Sequence, residues 1–187
     1  MKFRSLIFVL ISVLLTGCVA AVVAGAAAGM IVYDRRSLTI LESDTRIFHV
    51  VHTKIVTDPR FRDSRIIVVS FNQIVLLIGQ TPAASLRVLA EKIAQNTPNV
   101  RRVYDEITIG YPLALTKRTQ DTWITGQVRS QMLSKKGLES GSIRVVTENG
   151  VVYLMGIATH EQANLAVSVA RQINGVQKVI KIFQYIM

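Results

Sequence analysis

One cysteine, one tryptophan, three histidines and four prolines are all that 187 residues provide of those types, and 12 acidic side chains stand against 22 basic ones. A lone cysteine excludes an internal disulfide and a thiolate metal centre. With so few histidines there is little from which to build a general base. His49 and His52 stand three apart, a spacing that shares one helix face, but no cysteine or convincing carboxylate completes a ligand set. They read as solvated helix histidines. Glycine-rich phosphate loops, nucleophile elbows and zinc-helix motifs are missing. Asp105-Glu106 is a strand-end acidic pair with no acid/base partner in view. Lys135-Lys136, just before Gly137, reads as a complement to a helix C-terminal dipole. The expectation is a protein without catalytic activity, resident metal or cofactor.

The acidic deficit is spread along the chain. Residues 44–109 hold nine Lys/Arg and six Asp/Glu, and residues 121–187 hold seven and four, so each stretch carries +3. Lys117 and Arg118 lie between them. Such a balance suits an anionic membrane surface or nucleic acid.

The start of the chain decides between those partners. "MKFRSLIFVLISVLLTGC" places Lys2 and Arg4 before an apolar run from Leu6 to Leu15, then Thr16-Gly17-Cys18. This is the layout of a secretory signal. Leu15-Thr16-Gly17-Cys18 resembles the lipobox of bacterial lipoproteins. The resemblance implies cleavage before Cys18, a diacylglycerol on its thiol and an acyl chain on the new amine; no other cofactor is expected. The apolar character continues through residues 19–33, long enough to span a bilayer as an uncleaved anchor. The processing site and the Ala/Gly-rich composition favour the lipoprotein. The Gly25 to Gly29 spacing reads as coincidence in a small-residue tether. By analogy with lipoprotein sorting, Val19 rather than Asp after the cysteine implies the outer membrane, facing the periplasm. That address excludes nucleic acid. Two or more acyl chains give stable anchoring.

The rest of the chain repeats itself at an offset of 77. "DTRIFHVVHTKI" at 44 aligns with "DTWITGQVRSQM" at 121, and "RIIVVSFNQIVLLIG" at 65 with "SIRVVTENGVVYLMG" at 142. After one deletion, "NVRRVYDEITI" matches "GVQKVIKIFQY". Each copy begins with an Asp-Thr pair read as a helix N-cap, with apolar residues four apart behind it: Ile47, Val51 and Ile55, or Ile124, Val128 and Met132. Two short strands follow, turning at Asn72-Gln73 or Asn149-Gly150. A second helix runs from about Pro82 to Asn96, or Thr159 to Ile173, with Thr159-x-x-Gln162 as a capping box. A third strand closes the unit. The expected fold is α+β: two tandem αββαβ units, each a small three-stranded mixed sheet with two helices on one face. The boundaries are 1–17 signal peptide, 18–43 lipidated cysteine and tether, 44–110 first unit, 111–120 linker and 121–187 second unit.

The motif Val145-x-Thr147-x-Asn149-Gly150-Val-Val-x-Leu154-x-Gly156, followed by a helix and Gly175-Val176-x-x-Val179, resembles the BON domain of bacterial envelope proteins. The first copy departs from it at Gln73 and Asn99, where looser turns are expected. The whole layout, with "GCVAA", "DTWIT", "VRSQ" and "TENG", resembles the dual-BON-domain outer-membrane lipoproteins. That resemblance implies a non-enzymatic protein supporting envelope integrity. It further implies anionic phospholipid recognition through the second domain and association with outer-membrane protein assembly and division sites.

Trp123 aligns with Arg46, so it belongs to the solvent side of its helix rather than the core. It shares a stripe with Gly126, Gln127 and Ser130. An exposed Trp suits the headgroup level of a membrane. Lys117 and Arg118, read as preceding the helix, and Arg129 on its flank add attraction to phosphatidylglycerol or cardiolipin. Backbone donors at the helix start, beside Asp121 and Thr122, offer phosphate contacts. The expected phospholipid-binding set is therefore Trp123, Lys117, Arg118, Thr122, Gln127, Arg129 and Ser130. Packing of Trp123 against the first unit or the linker is the competing reading, as is a protein-interaction adaptor for which lipid is only an anchor. The first unit is expected to be a spacer that stabilises the second.

Overall fold

The computed structural model describes residues 34–187. The signal peptide, Cys18, Val19 and the Gly25–Gly29 spacing lie outside them. Arg35–Met187 form one compact unit. The element order is α1 (Leu38–Val56), β1 (Arg65–Phe71), β2 (Ile74–Thr81), α2 (Ala84–Gln95), β3 (Arg102–Ile109), then α3 (Leu115–Ser134), β4 (Ile143–Glu148), β5 (Val151–Ala158), α4 (His160–Arg171) and β6 (Lys178–Tyr185). Each half is an αββαβ domain. Its hairpin is antiparallel, and its third strand lies parallel to the second, which takes the centre of the sheet.

Strand alternation sorts side chains onto two faces. Val68, Val75 and Leu77 meet Ile47, Val51 and Ile55 of α1 and Ala90 and Ala94 of α2. Val145, Val152 and Leu154 meet Ile124, Val128 and Met132 of α3 and Ala166 and Ala170 of α4. The opposite faces pack on each other. Val69, Phe71, Ile74, Leu76 and Ile78 of the first sheet join Tyr153, Met155 and Ile182 of the second in one apolar layer. The result is helix, sheet, sheet, helix, and every residue of β2 is buried. Close strand approach explains the paired glycines: a Cβ on Gly79 would stand 2.0 Å from the Arg65 carbonyl oxygen, and one on Gly156 2.7 Å from that of Ser142.

Three local expectations are corrected. Asp44 and Asp121 are not N-caps, because both helices begin six residues earlier; Ser37 caps α1 through the Ile40 N–H, and Ala114 stands before α3. Residues 115–120, expected as linker, are therefore helical. The two aspartates are buried and reach across to the hairpin turns. Asp44 accepts from the Asn72 and Gln73 N–H groups at 2.7 and 2.8 Å, and Asp121 from those of Asn149 and Gly150 at 2.8 Å each.

The turns of the first copy are not looser. Gln73 has φ 63° and Asn99 φ 67°, in the same left-handed region as Gly150 and Gly175. The Asp44 clamp holds Gln73 there against its own preference. Lastly, the Thr159 cap accepts from the Gln162 N–H at 3.2 Å, but the Gln162 side chain does not close a capping box. It bonds instead the Glu139 N–H and the Gly137 carbonyl, pinning the loop after α3.

Candidate functional site

The inner face of α3 is fixed by Asp121, Ile124, Val128 and Met132, all buried. At 100° per residue the opposite side carries Leu115, Thr119, Trp123, Gly126, Ser130 and Leu133. Trp123 is 52 % exposed, Leu115 75 % and Leu133 80 %. Trp123 thus projects to solvent, and the interdomain layer is built without it.

The first domain provides an internal control. Leu38 and Val56 occupy the positions of Leu115 and Leu133 and are also exposed. Between them, however, α1 carries Glu42 and Arg46, paired at 2.9 Å, where α3 has Thr119 and Trp123. Only the second domain presents an apolar centre on this face.

The remaining expected residues divide into groups. Gln127 and Ser130 accompany Trp123, Gln127 being half-buried. Lys117 is exposed, but it stands four residues before Asp121 on the inner stripe of α3, away from the Trp123 face. It lies, with Arg118, inside the first turn of α3 rather than ahead of the helix. Arg118, Thr122 and Arg129 lie on one flank, along the seam between the domains. Arg118 Nε donates to the Leu113 carbonyl at 2.7 Å, and Arg129 Nη2 to the Val145 carbonyl at 2.9 Å. The Thr122 hydroxyl donates to the Arg118 carbonyl at 2.9 Å. The backbone donors beside Asp121 are internal to the helix, so the phosphate site expected at a helix start is not formed there. The exposed Lys135-Lys136 pair follows the last turn of α3, near Leu133.

The seam holds a cleft of about 220 Å³ between α3, β4 and the start of β1. Its floor is a buried polar network. Glu148, 4 % exposed, accepts from Arg65 Nη1 at both carboxylate oxygens and from Gln80 Nε2. Gln80 Oε1 in turn accepts the Leu113 N–H. Sequence reasoning missed this clasp. Its signal was Glu148 standing where the first copy has Phe71, a charge in a strand position otherwise apolar.

The other singled-out polar groups have structural partners. Asp105 pairs with Arg87 at 2.7 Å and also accepts the Ile107 N–H. The Arg87 guanidinium is held above its usual range, first by that hydrogen bond. His49 and His52 flank Phe48, and His52 stacks on it at 5.2 Å, half-buried rather than fully solvated. His160 stacks on Tyr185.

Comparison with known proteins gives a consistent picture. The BON domain family matches residues 43–111 and 120–187. The chain is 35 % identical over 177 residues to the outer membrane lipoprotein DolP of Haemophilus influenzae, covering 94 % of this chain and 92 % of that one. It is 38 % identical over 124 residues to a 21 kDa hemolysin of Actinobacillus pleuropneumoniae, covering 66 % of this chain and 64 % of the relative. Among solved structures, the C-terminal domain of CdsD, a structural protein of the type III secretion system of Chlamydia trachomatis, aligns at 12 % identity with a TM-score of 0.31. That alignment covers 77 % of this chain and 67 % of the other, a likeness too distant to bear on function.

Proposed function

The chain belongs to the BON-domain family, and on that premise we propose a non-enzymatic, lipid-anchored protein of the outer membrane that faces the periplasm, supports envelope integrity, and docks on anionic phospholipid through the outer face of α3. Its likeness to an outer membrane lipoprotein over nearly the whole length supports the address. The observation that carries the docking is the exposed Leu115, Trp123 and Leu133 series, replaced at its centre by a neutralised Glu42–Arg46 pair in the first domain.

The energetics suit reversible contact. A partly buried Trp and two Leu side chains contribute about 1 kcal/mol or more each. Lys135 and Lys136, exposed just past Leu133, add roughly 1 kcal/mol apiece near an anionic surface. Together these give about 5 kcal/mol, and against the cost of orienting the domain this leaves an intrinsic affinity on the order of millimolar. The acyl anchor on Cys18 then supplies a high effective concentration, so weak contacts suffice.

The test is co-sedimentation of residues 35–187 with phosphatidylglycerol or cardiolipin vesicles against phosphatidylcholine, with Trp fluorescence followed in parallel. Binding to anionic vesicles alone, with a blue shift of the single Trp in the unaltered chain, is expected, and binding is expected to be lost in Trp123→Glu. Equal binding by the variant would remove α3 as the docking element. It would turn attention to a protein partner in outer-membrane assembly.

A further inference from the structure

We propose that the cleft between the two domains is a binding site for a phosphate-ester anion, held by Arg118 and Arg129 and floored by the Arg65–Glu148 clasp. Arg118, Thr122, Thr125 and Arg129 are spaced i, i+4, i+7 and i+11, so they form one line along α3. That line faces the cleft, not the outer face that carries Trp123. At the matching positions of α1 stand Leu41, Thr45, Phe48 and His52, and Phe48 packs on the core of its domain. The threonine is shared, Thr45 matching Thr122, but the second domain has two guanidiniums and the Thr125 hydroxyl where the first has Leu41, His52 and Phe48.

The charges at the cleft are not equivalent. Arg65 is committed to Glu148, at 2.8 and 2.9 Å. Asp121 has both oxygens on hairpin N–H groups. Arg118 and Arg129 each use one N–H on a backbone carbonyl, which fixes the side chain, and neither forms an ion pair with a carboxylate among the described residues. A guanidinium has five N–H donors, so both retain a fork for a tetrahedral oxyanion. The Thr125 hydroxyl donates to Thr147 Oγ1 at 2.8 Å, which leaves the Thr147 hydroxyl hydrogen as a further donor. A volume of about 220 Å³ is small for a drug-sized ligand and matches a phosphate ester of a short alcohol.

The phosphate can come from a lipid headgroup or from a soluble ester. In the first case the site rests on the membrane reading and deepens it, since the cleft flanks the docking face. The experiment uses the full lipidated chain in phosphatidylcholine nanodiscs, titrated calorimetrically with glycerol 3-phosphate, and a parallel set of residues 35–187, the compact unit without the acyl anchor, with phosphatidylglycerol vesicles. The variants are Arg118→Gln/Arg129→Gln, the charge-keeping Arg118→Lys/Arg129→Lys, the charge-matched Lys178→Gln/Lys181→Gln on β6, and the outer-face Leu133→Glu. Glycerol phosphate binding that falls at least tenfold in the glutamine pair, falls partly in the lysine pair and holds in the β6 pair and Leu133→Glu assigns a soluble ester. No glycerol phosphate binding, with phosphatidylglycerol binding weakened at least tenfold in the glutamine pair and unchanged in the β6 pair, assigns the lipid. If the glutamine pair, with an unchanged thermal midpoint, binds both probes as the unaltered chain does, or no more weakly than the β6 pair, the proposal is overturned. The membrane reading fails separately, if Leu133→Glu and Trp123→Glu leave phosphatidylglycerol binding intact.

Discussion

Arg65 and Glu148 lie on strands of different domains and are joined through a single nitrogen, Arg65 Nη1, at 2.9 and 2.8 Å from the two carboxylate oxygens. Gln80, also from the first domain, bonds the same carboxylate at 2.9 Å. Truncating Glu148 strands the buried Gln80 amide and releases the arginine at the domain seam. Glu148→Ala is expected to destabilise the chain by about 2–3 kcal/mol, the upper part of the range for an unsatisfied buried polar group and below that for a fully buried ion pair, because Arg65 is partly exposed. Urea titration checks this. A loss below about 0.5 kcal/mol would mean that the apolar layer alone fixes the two domains.

Asp44 and Asp121 hold equivalent turns with unequal help. Asp44 also accepts from Ser70 Oγ at 2.9 Å and pairs with Arg36 at 2.7 Å, and the Arg36 guanidinium lies 4.1 Å from the Phe71 ring centroid. Leu113 stands in the Arg36 position of the second copy. Asp44→Ala takes a carboxylate away from the Arg36 cation and leaves three donors, the Ser70 hydroxyl and the Asn72 and Gln73 N–H groups, unsatisfied, so a cost of about 3–5 kcal/mol is expected, against about 2–3 for Asp121→Ala, which strands two. Equal losses in paired denaturation curves would show that Arg36 contributes nothing to the clamp.

Gln73 occupies a left-handed conformation, φ 63°, that glycine adopts in the second copy. Relief of that strain, less the extra backbone freedom glycine has when unfolded, predicts a gain of about 0.5–1 kcal/mol for Gln73→Gly. A raised thermal midpoint with unchanged vesicle binding is the expected outcome.

Tyr153 lies in the interdomain layer, 5 % exposed, and burial first, then Glu106 and Glu148, push its hydroxyl up to about 12. The unfolded chain therefore loses this proton first as pH rises. Stability is full below about pH 10 and declines between there and pH 12, by about 2–3 kcal/mol at roughly 1.4 per unit. Tyr153→Phe removes this contribution. Its denaturation free energy is expected to fall less over the same window, and parallel curves for the two proteins would contradict the assignment.

The repeat, the core stripes and the outward Trp123 were legible because each is local or periodic. Alignment of Trp123 with Arg46 was enough to place it outside the core. The helix starts were not legible: Leu115-Thr-Lys-Arg-Thr-Gln120 is polar and lacks a capping side chain, while Asp121-Thr122 imitates one. What decides the matter is a bond from Asp121 to a turn 28 residues away, which no local pattern encodes. The sheet-on-sheet layer left a partial trace. Val75, Leu76, Leu77 and Ile78 are apolar without alternation, as a strand buried on both faces requires, but the partner of the second face is a tertiary fact. Leu115 was missed because residues 111–120 read as linker, and Leu133 because leucine on a helix is ordinarily read as core.

Leu133 separates membrane contact from packing most cleanly, because at 80 % exposure it has little folded-state contact to lose. Leu133→Ala removes apolar area from the docking face without altering charge. A loss of about 1 kcal/mol on transfer corresponds to roughly fivefold weaker binding to phosphatidylglycerol vesicles. Salt sensitivity should persist, because Lys135 and Lys136 remain. Leu38→Ala in the first domain removes a residue of similar exposure from the matched helix, and no change is expected there because Glu42 and Arg46 occupy the centre of that face. Equal effects of the two substitutions would place the docking surface on both helices and refute the assignment to α3.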